Sequence, residues 1–145
     1  GSTTLLDATY ANEGPYAQAF SDAVTSELRK GYYAAVSFVD AQIGRVVEAV
    51  DAAVGDDETV VVVTGDHGYQ LGEKACWTKH TNFDLGTRVP LIVRASFVSP
   101  RRVDVAPPVE LVDLYRTFAA LAGLGAPDDA GVHGRSLVPA MLAAR

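Results

Sequence analysis

Several scarcities narrow the field. A single cysteine, Cys76, in 145 residues leaves no internal disulfide framework to hold a small fold together. No apolar run approaches the roughly 20 residues that a membrane-spanning helix needs. A signal-peptide pattern is absent from the sequence, and so is any Asn-x-Ser/Thr acceptor. Basic residues are outnumbered, with 12 Lys and Arg against 18 Asp and Glu, so the formal net charge is −6. That balance argues against a general nucleic-acid binder, whose affinity rests on a basic surface. It does not exclude an anionic small substrate, because local charge and a bound cation decide that. Methionine occurs once, at Met141, while the chain opens Gly1-Ser2, which reads as a processed chain or a piece of something longer.

What the sequence does contain is apolar enough for a core: 48% of residues are hydrophobic and 21% charged, so disorder is not expected. The length allows one segment, residues 1–145, with a core over about 21–124 and a loop-rich tail over 125–145. The most informative stretch runs Thr59, Val60, Val61, Val62, Val63, then Thr64, Gly65, Asp66, His67, Gly68. A β-branched run stopped by glycine predicts a strand buried on both faces, as in a parallel sheet. Open α/β sheets bind ligands beyond the carboxyl ends of their strands, which is where Asp66 and His67 fall. An Asp after a strand often only closes a turn. With an adjacent His, and glycines on both sides, the pair becomes a candidate metal site.

Leu28, Tyr32, Val36, Val39, Ile43, Val46 and Val50 recur every three or four residues, predicting one amphipathic helix over 21–54. Ser21 or Asp22 is its expected N-cap and Gly55 its stop; Gly31 and Gly44 inside it are expected to mark close packing. Residues 65–88 read as a long functional loop. Strands are expected at 90–94 and 102–105, a second helix at 109–124 ended by Gly123 or Gly125, and a tail with one helical turn. The class is α/β, but this inventory is too small to cover a strand as apolar as 60–63 on both sides. Part of the sheet is therefore expected to lie elsewhere.

Four blocks stand out: Gly31-Tyr32-Tyr33-Ala34-Ala35-Val36-Ser37-Phe38-Val39-Asp40-Ala41-Gln42-Ile43-Gly44-Arg45-Val46-Val47, Thr64-Gly65-Asp66-His67-Gly68-Tyr69-Gln70-Leu71-Gly72-Glu73, Trp77-Thr78-Lys79-His80-Thr81-Asn82-Phe83-Asp84, and Thr87-Arg88-Val89-Pro90-Leu91-Ile92. In their order and spacing they resemble the sulfatases of the alkaline phosphatase superfamily, and among them the iduronate-sulfatase subgroup. The resemblance continues through Val109 to Leu124 and into Gly134-Arg135-Ser136-Leu137. It implies a partial alkaline-phosphatase-like, mostly parallel sheet with flanking helices, lacking its N-terminal strands. It also implies a calcium ion held in part by Asp66 and His67, and a sulfate contact from Lys79. His80, beside Lys79, is a weaker candidate for reaching substrate or donating a proton. The implied substrate is a sulfated sugar or another small sulfate ester.

The family's nucleophile is a formylglycine made from the Cys of a Cys-x-Pro-x-Arg motif. Cys76 is followed by Trp77, Thr78, Lys79 and His80, so it carries neither the proline nor the arginine. The formylglycine and the further metal carboxylates are expected in an N-terminal half of the catalytic domain, and this chain alone is expected to be inactive. Two alternatives stand beside this reading. One is a phosphoester or phosphonate hydrolase of the same superfamily; the other is a non-catalytic remnant module. Outside the motif, Trp77 is read as packing or as a pocket wall, His133 as a surface loop residue, and Asn82 and Asp84 as fixing the loop.

Overall fold

The computed structural model describes residues 20–98, 102, 104–105, 108–125 and 131–143. The long helix forms as its spacing predicts: α1 is Asp22–Val54, about 50 Å of continuous helix. Ser21 caps it, its Oγ accepting the amide of Val24 at 3.4 Å. Gly55, with φ of 89° and ψ of 155°, takes an extended positive-φ conformation open to glycine, and the helix ends there. Gly31 and Gly44 do not mark close packing, since nothing lies within 4 Å of a Cβ built at either. The apolar stripe of α1 is only partly covered among the described residues: no residue of the helix is buried, and Leu28, Ile43 and Val50 are half-buried. Val36 and Val46, on that stripe, are 53% and 63% exposed.

After a short 3-10 turn comes β1, Val61–Thr64, and later β4, Leu91–Arg94; the two are neighbours in a two-stranded sheet. The valines of β1 are half-buried and Thr64 is exposed, against the expectation of a strand covered on both faces. Its only neighbour among the described residues is β4, and one partner cannot enclose a strand.

The stretch expected to be loop holds structure of its own. Strands β2, Gln70–Leu71, and β3, Trp77–Thr78, pair antiparallel, with Gln70 opposite Thr78 and Leu71 opposite Trp77. The expectation is a mostly parallel sheet; this pair departs from it because Gly72, at φ of 102°, folds the chain straight back on itself. Trp77 is buried, meeting Phe20 edge-on at 5.4 Å, and it lies under Gly72, where an added Cβ would sit 3.0 Å from the indole. Its role here is packing. One helical turn, α2, Asp84–Thr87, then leads to β4.

The described residues divide into two compact units. One combines those up to Val47 with Val62–Ile92, the other Glu48–Val61 with those from Val93 onward. In the second unit Asp51 and Arg94 form a two-pronged ion pair, and the guanidinium hydrogen bonds hold the Asp51 carboxyl below its usual range. The second helix, α3, spans Asp113–Leu121, starting four residues later than its expected bound of 109. Buried Asp113 takes the amides of Glu110 at 3.0 Å and Arg135 at 2.8 Å on its carboxylate, which fixes a turn before the helix rather than a helical extension. It ends at Leu121, three residues before its expected bound of 124, with Gly123 as the stop. Gly123 turns left-handed while the amides of Gly123 and Leu124 return to the carbonyls of Ala120 and Ala119.

A short helix, α4, Val138–Ala143, supplies the helical turn of the tail, and His133 is exposed in the coil before it. Of the strand expected at 102–105, Arg102, Asp104 and Val105 belong to no strand, and residue 103 lies outside the described residues. Among the described residues no helix is long and apolar enough to cross a membrane.

Candidate metal and sulfate site

Strand β1 delivers its chain end to Gly65, Asp66 and His67, the next three residues after Thr64. Space decides the two glycines. A Cβ at Gly65 would press the Val89 side chain at 3.3 Å; one at Gly68 would lie 2.1 Å from the Leu85 carbonyl oxygen. Gly68 also donates its amide to the Gly86 carbonyl at 3.0 Å, so the turn after His67 is laid directly on α2. Gly68→Ala is therefore expected to push the two segments apart and cost about 1–3 kcal/mol, read as a lowered thermal midpoint. An unchanged midpoint would contradict this packing.

Asp66 keeps its carboxylate 86% exposed, open to an ion arriving from outside, while Oδ1 accepts the His67 amide at 3.0 Å. The His67 ring is oriented at both nitrogens. Nδ1 lies 2.9 Å from the Gly68 carbonyl oxygen, and a carbonyl only accepts, so Nδ1 carries the proton of the neutral ring. Nε2 then presents a lone pair, and Lys79 Nζ donates to it at 2.6 Å. Asp66 Oδ2 is 3.4 Å from the same nitrogen. A carboxylate, an imidazole lone pair and an ammonium therefore converge on one point beyond a strand end.

Asp66, His67 and Lys79 are thus brought together. His80 is not: it is exposed, and no hydrogen bond or ion pair joins its ring to the other three. No group of three or more His, Cys, Asp or Glu side chains arranged to hold a metal occurs among the described residues. Cys76 is a buried free thiol. Glu73 is structural here; its Oε2 accepts the Leu71 amide at 2.7 Å, and Arg29 approaches its other oxygen at 4.0 Å.

Two participants, Gln70 and Thr81, went unread in the sequence. Gln70 is 1% exposed and accepts from Thr81 Oγ1 at 2.6 Å, and Thr81 is two residues beyond Lys79. Nothing in the sequence signals this, because a polar residue in a loop is expected at the surface.

The chain belongs to the sulfatase family, whose profile matches residues 6–124. Human iduronate 2-sulfatase is 35% identical over 129 residues, which cover 70% of this chain and 23% of that protein. The choline-sulfatase of Rhizobium meliloti strain 1021 is 31% identical over 112 residues, covering 77% of this chain and 22% of that one. The chain thus spans less than a quarter of the length of these relatives.

Solved structures agree on the fold. The phosphonate monoester hydrolase SpPMH from Silicibacter pomeroyi superposes with a TM-score of 0.65 at 38% identity, covering 74% of this chain and 21% of that one. BT4656, solved with its substrate D-glucosamine-2-N,6-O-disulfate, superposes with a TM-score of 0.68 at 27% identity, covering 88% of this chain and 26% of that one. Both place the described elements in a partial alkaline-phosphatase-like α/β domain.

Proposed function

We propose that this chain is a segment of a sulfuric ester hydrolase of the iduronate-2-sulfatase kind, contributing part of a metal site and a sulfate-binding lysine. The observation that carries the reading is the meeting of Lys79 Nζ with His67 Nε2 at 2.6 Å, beside Asp66, in a chain of the sulfatase family. Asp66 and His67 suit part of a divalent-ion site, through one exposed carboxylate and one imidazole in a fixed tautomer. Two donors fall short of the six to eight oxygens calcium gathers. We assign calcium as the ion, with the remaining ligands and the formylglycine in an N-terminal half of the catalytic domain. The only partly covered stripe of α1 supports a missing partner of that kind. The mostly parallel sheet belongs to the same reading, since the connection over residues 65–90 between β1 and β4 is long enough for a parallel crossover.

When bound, the ion would polarise the sulfuryl group as a Lewis acid. The other contributions come from this chain's own residues. Lys79 brings a compact positive charge to the sulfate group, beside the leaving oxygen on which charge accumulates as the S–O bond breaks. His67 uses one lone pair for either the lysine or an ion, so its two partners are exclusive. His80 faces open solvent beside Lys79, and its assigned role is limited to contact with the rest of the substrate. A sulfated sugar is the proposed substrate class, supported by the disulfated glucosamine that is the substrate of BT4656.

One observation favours a second reading: the likeness to a phosphonate monoester hydrolase at 38% identity. Turnover of matched aryl sulfate, phosphate and phosphonate esters by the full-length gene product separates the two. Sulfate is expected to turn over fastest, and to do so only when calcium has not been chelated away. Faster phosphonate or phosphate turnover would replace the first reading by the second, and turnover of none would leave a non-catalytic remnant.

A further inference from the structure

We infer that Gln70 and Thr81 form a positioning device that holds Lys79 against His67. The inference rests on the reading of Lys79 as a sulfate contact only for its binding consequence; the positioning itself is independent of it. Lysine is a long flexible stem with several freely rotating bonds, and Lys79 is exposed. Such a side chain keeps one geometry only if its backbone is fixed first.

The backbone before it is costly to hold. Thr78 has φ of 76°, a left-handed conformation at a β-branched residue, and Lys74 and Ala75 are left-handed as well, at 53° and 57°. Such a residue is strained and persists only where its surroundings over-determine it. For Thr78 and Lys79 those surroundings include Gln70. Gln70 lies opposite Thr78 in the β2/β3 pair, gripping the turn on one side. Its side-chain oxygen takes the Thr81 hydroxyl at 2.6 Å, gripping it on the other. Thr81 in turn donates its amide to the Lys79 carbonyl at 2.9 Å, so Lys79 sits inside a closed loop of contacts.

Gly86 packs against Thr81 on one side. Gly86 backs it so closely that a Cβ there would stand 2.9 Å from both its carbonyl and its hydroxyl oxygen. The burial of Gln70 points the same way: an amide side chain is expensive to enclose, and the enclosure is offset by the bond it makes.

A merely structural bond would change stability and leave Lys79 where it is. In the full-length gene product, Gln70→Met and Thr81→Val each remove the bond with little change of volume, and Thr81→Ser restores the hydroxyl. The first readout is the order of the Lys79 side chain, from 13C relaxation at its labelled Cε. Order is expected to fall in Gln70→Met and Thr81→Val and to return in Thr81→Ser. The second is the affinity for inorganic sulfate ion, expected to weaken about tenfold in the first two variants.

Unchanged Lys79 order in Thr81→Val, with only a lowered thermal midpoint, would overturn the inference. Thr81 is only partly buried, so that variant reports even if Gln70→Met does not fold. A wild-type protein that binds no sulfate would instead overturn the role given to Lys79, and the relaxation measurement would still decide the positioning.

Discussion

Replacing Lys79 by alanine in the full-length gene product is expected to lower kcat for a sulfate ester by about 100- to 1,000-fold, the usual effect of deleting one preorganised donor to a developing oxyanion. KM is expected to change far less, because the charge Lys79 meets grows between ground state and transition state. Stability should hardly move. Lys79 is exposed, and surface substitutions of that kind fall within about 0.5 kcal/mol. Lys79→Arg is expected to recover only part of the rate, since a planar fork does not reproduce a compact point charge on a flexible stem. Steady-state kinetics on the three proteins, with thermal midpoints alongside, check the prediction. A Lys79→Ala protein with unaltered kcat would remove Lys79 from the chemistry and reduce the contact with His67 to a surface hydrogen bond.

Much of the frame was legible because it is local. The three-and-four spacing of Leu28 to Val50 set α1, and Ser21 and Gly55 marked its ends, since both signals act through nearest neighbours. Gly123 announced the close of α3 for the same reason. The beginning of α3 was misplaced because it depends on Arg135, a residue far along the chain whose amide Asp113 accepts. The β2/β3 pair was illegible for another cause. Two-residue strands carry no periodicity, and Lys74, Ala75 and Thr78 are residue types that give no sign of a left-handed backbone.

In the site, the order of motifs brought out Asp66, His67 and Lys79, which meet across a separation in sequence that no spacing rule covers. The same adjacency drew in His80, whose ring makes no hydrogen bond or ion pair with the other three. Gln70 was missed because its importance comes from burial, which only the fold supplies.

The largest stability effect is expected at Asp113. Its two carboxylate oxygens accept the amides of Glu110 and Arg135, tying the turn before α3 to the segment that leads into α4. Thr117 continues the seam one turn later: its hydroxyl donates to the Asp113 carbonyl at 2.7 Å and accepts the Leu137 amide at 3.0 Å. Asp113→Ala orphans two amides, each costing about 1–3 kcal/mol when left unpaired away from water. Asp113→Asn restores one acceptor and sets a donor against the other amide, so it is expected to recover part of the loss.

The Asp113 carboxyl is held below its usual range, first by the Glu110 amide, then by that of Arg135 and its charge, with burial opposing. A folded value below the unfolded one of about 3.9 means that the stabilisation is present above that pH and lost as pH falls through the folded value. Denaturant titrations should therefore show the gap between wild type and Asp113→Ala at its full size near neutral pH and narrowing below about pH 4. A gap that stays constant into acid would mean that the carboxylate charge contributes nothing, and that the seam between α3 and residues 135–137 is held by Thr117 and packing alone.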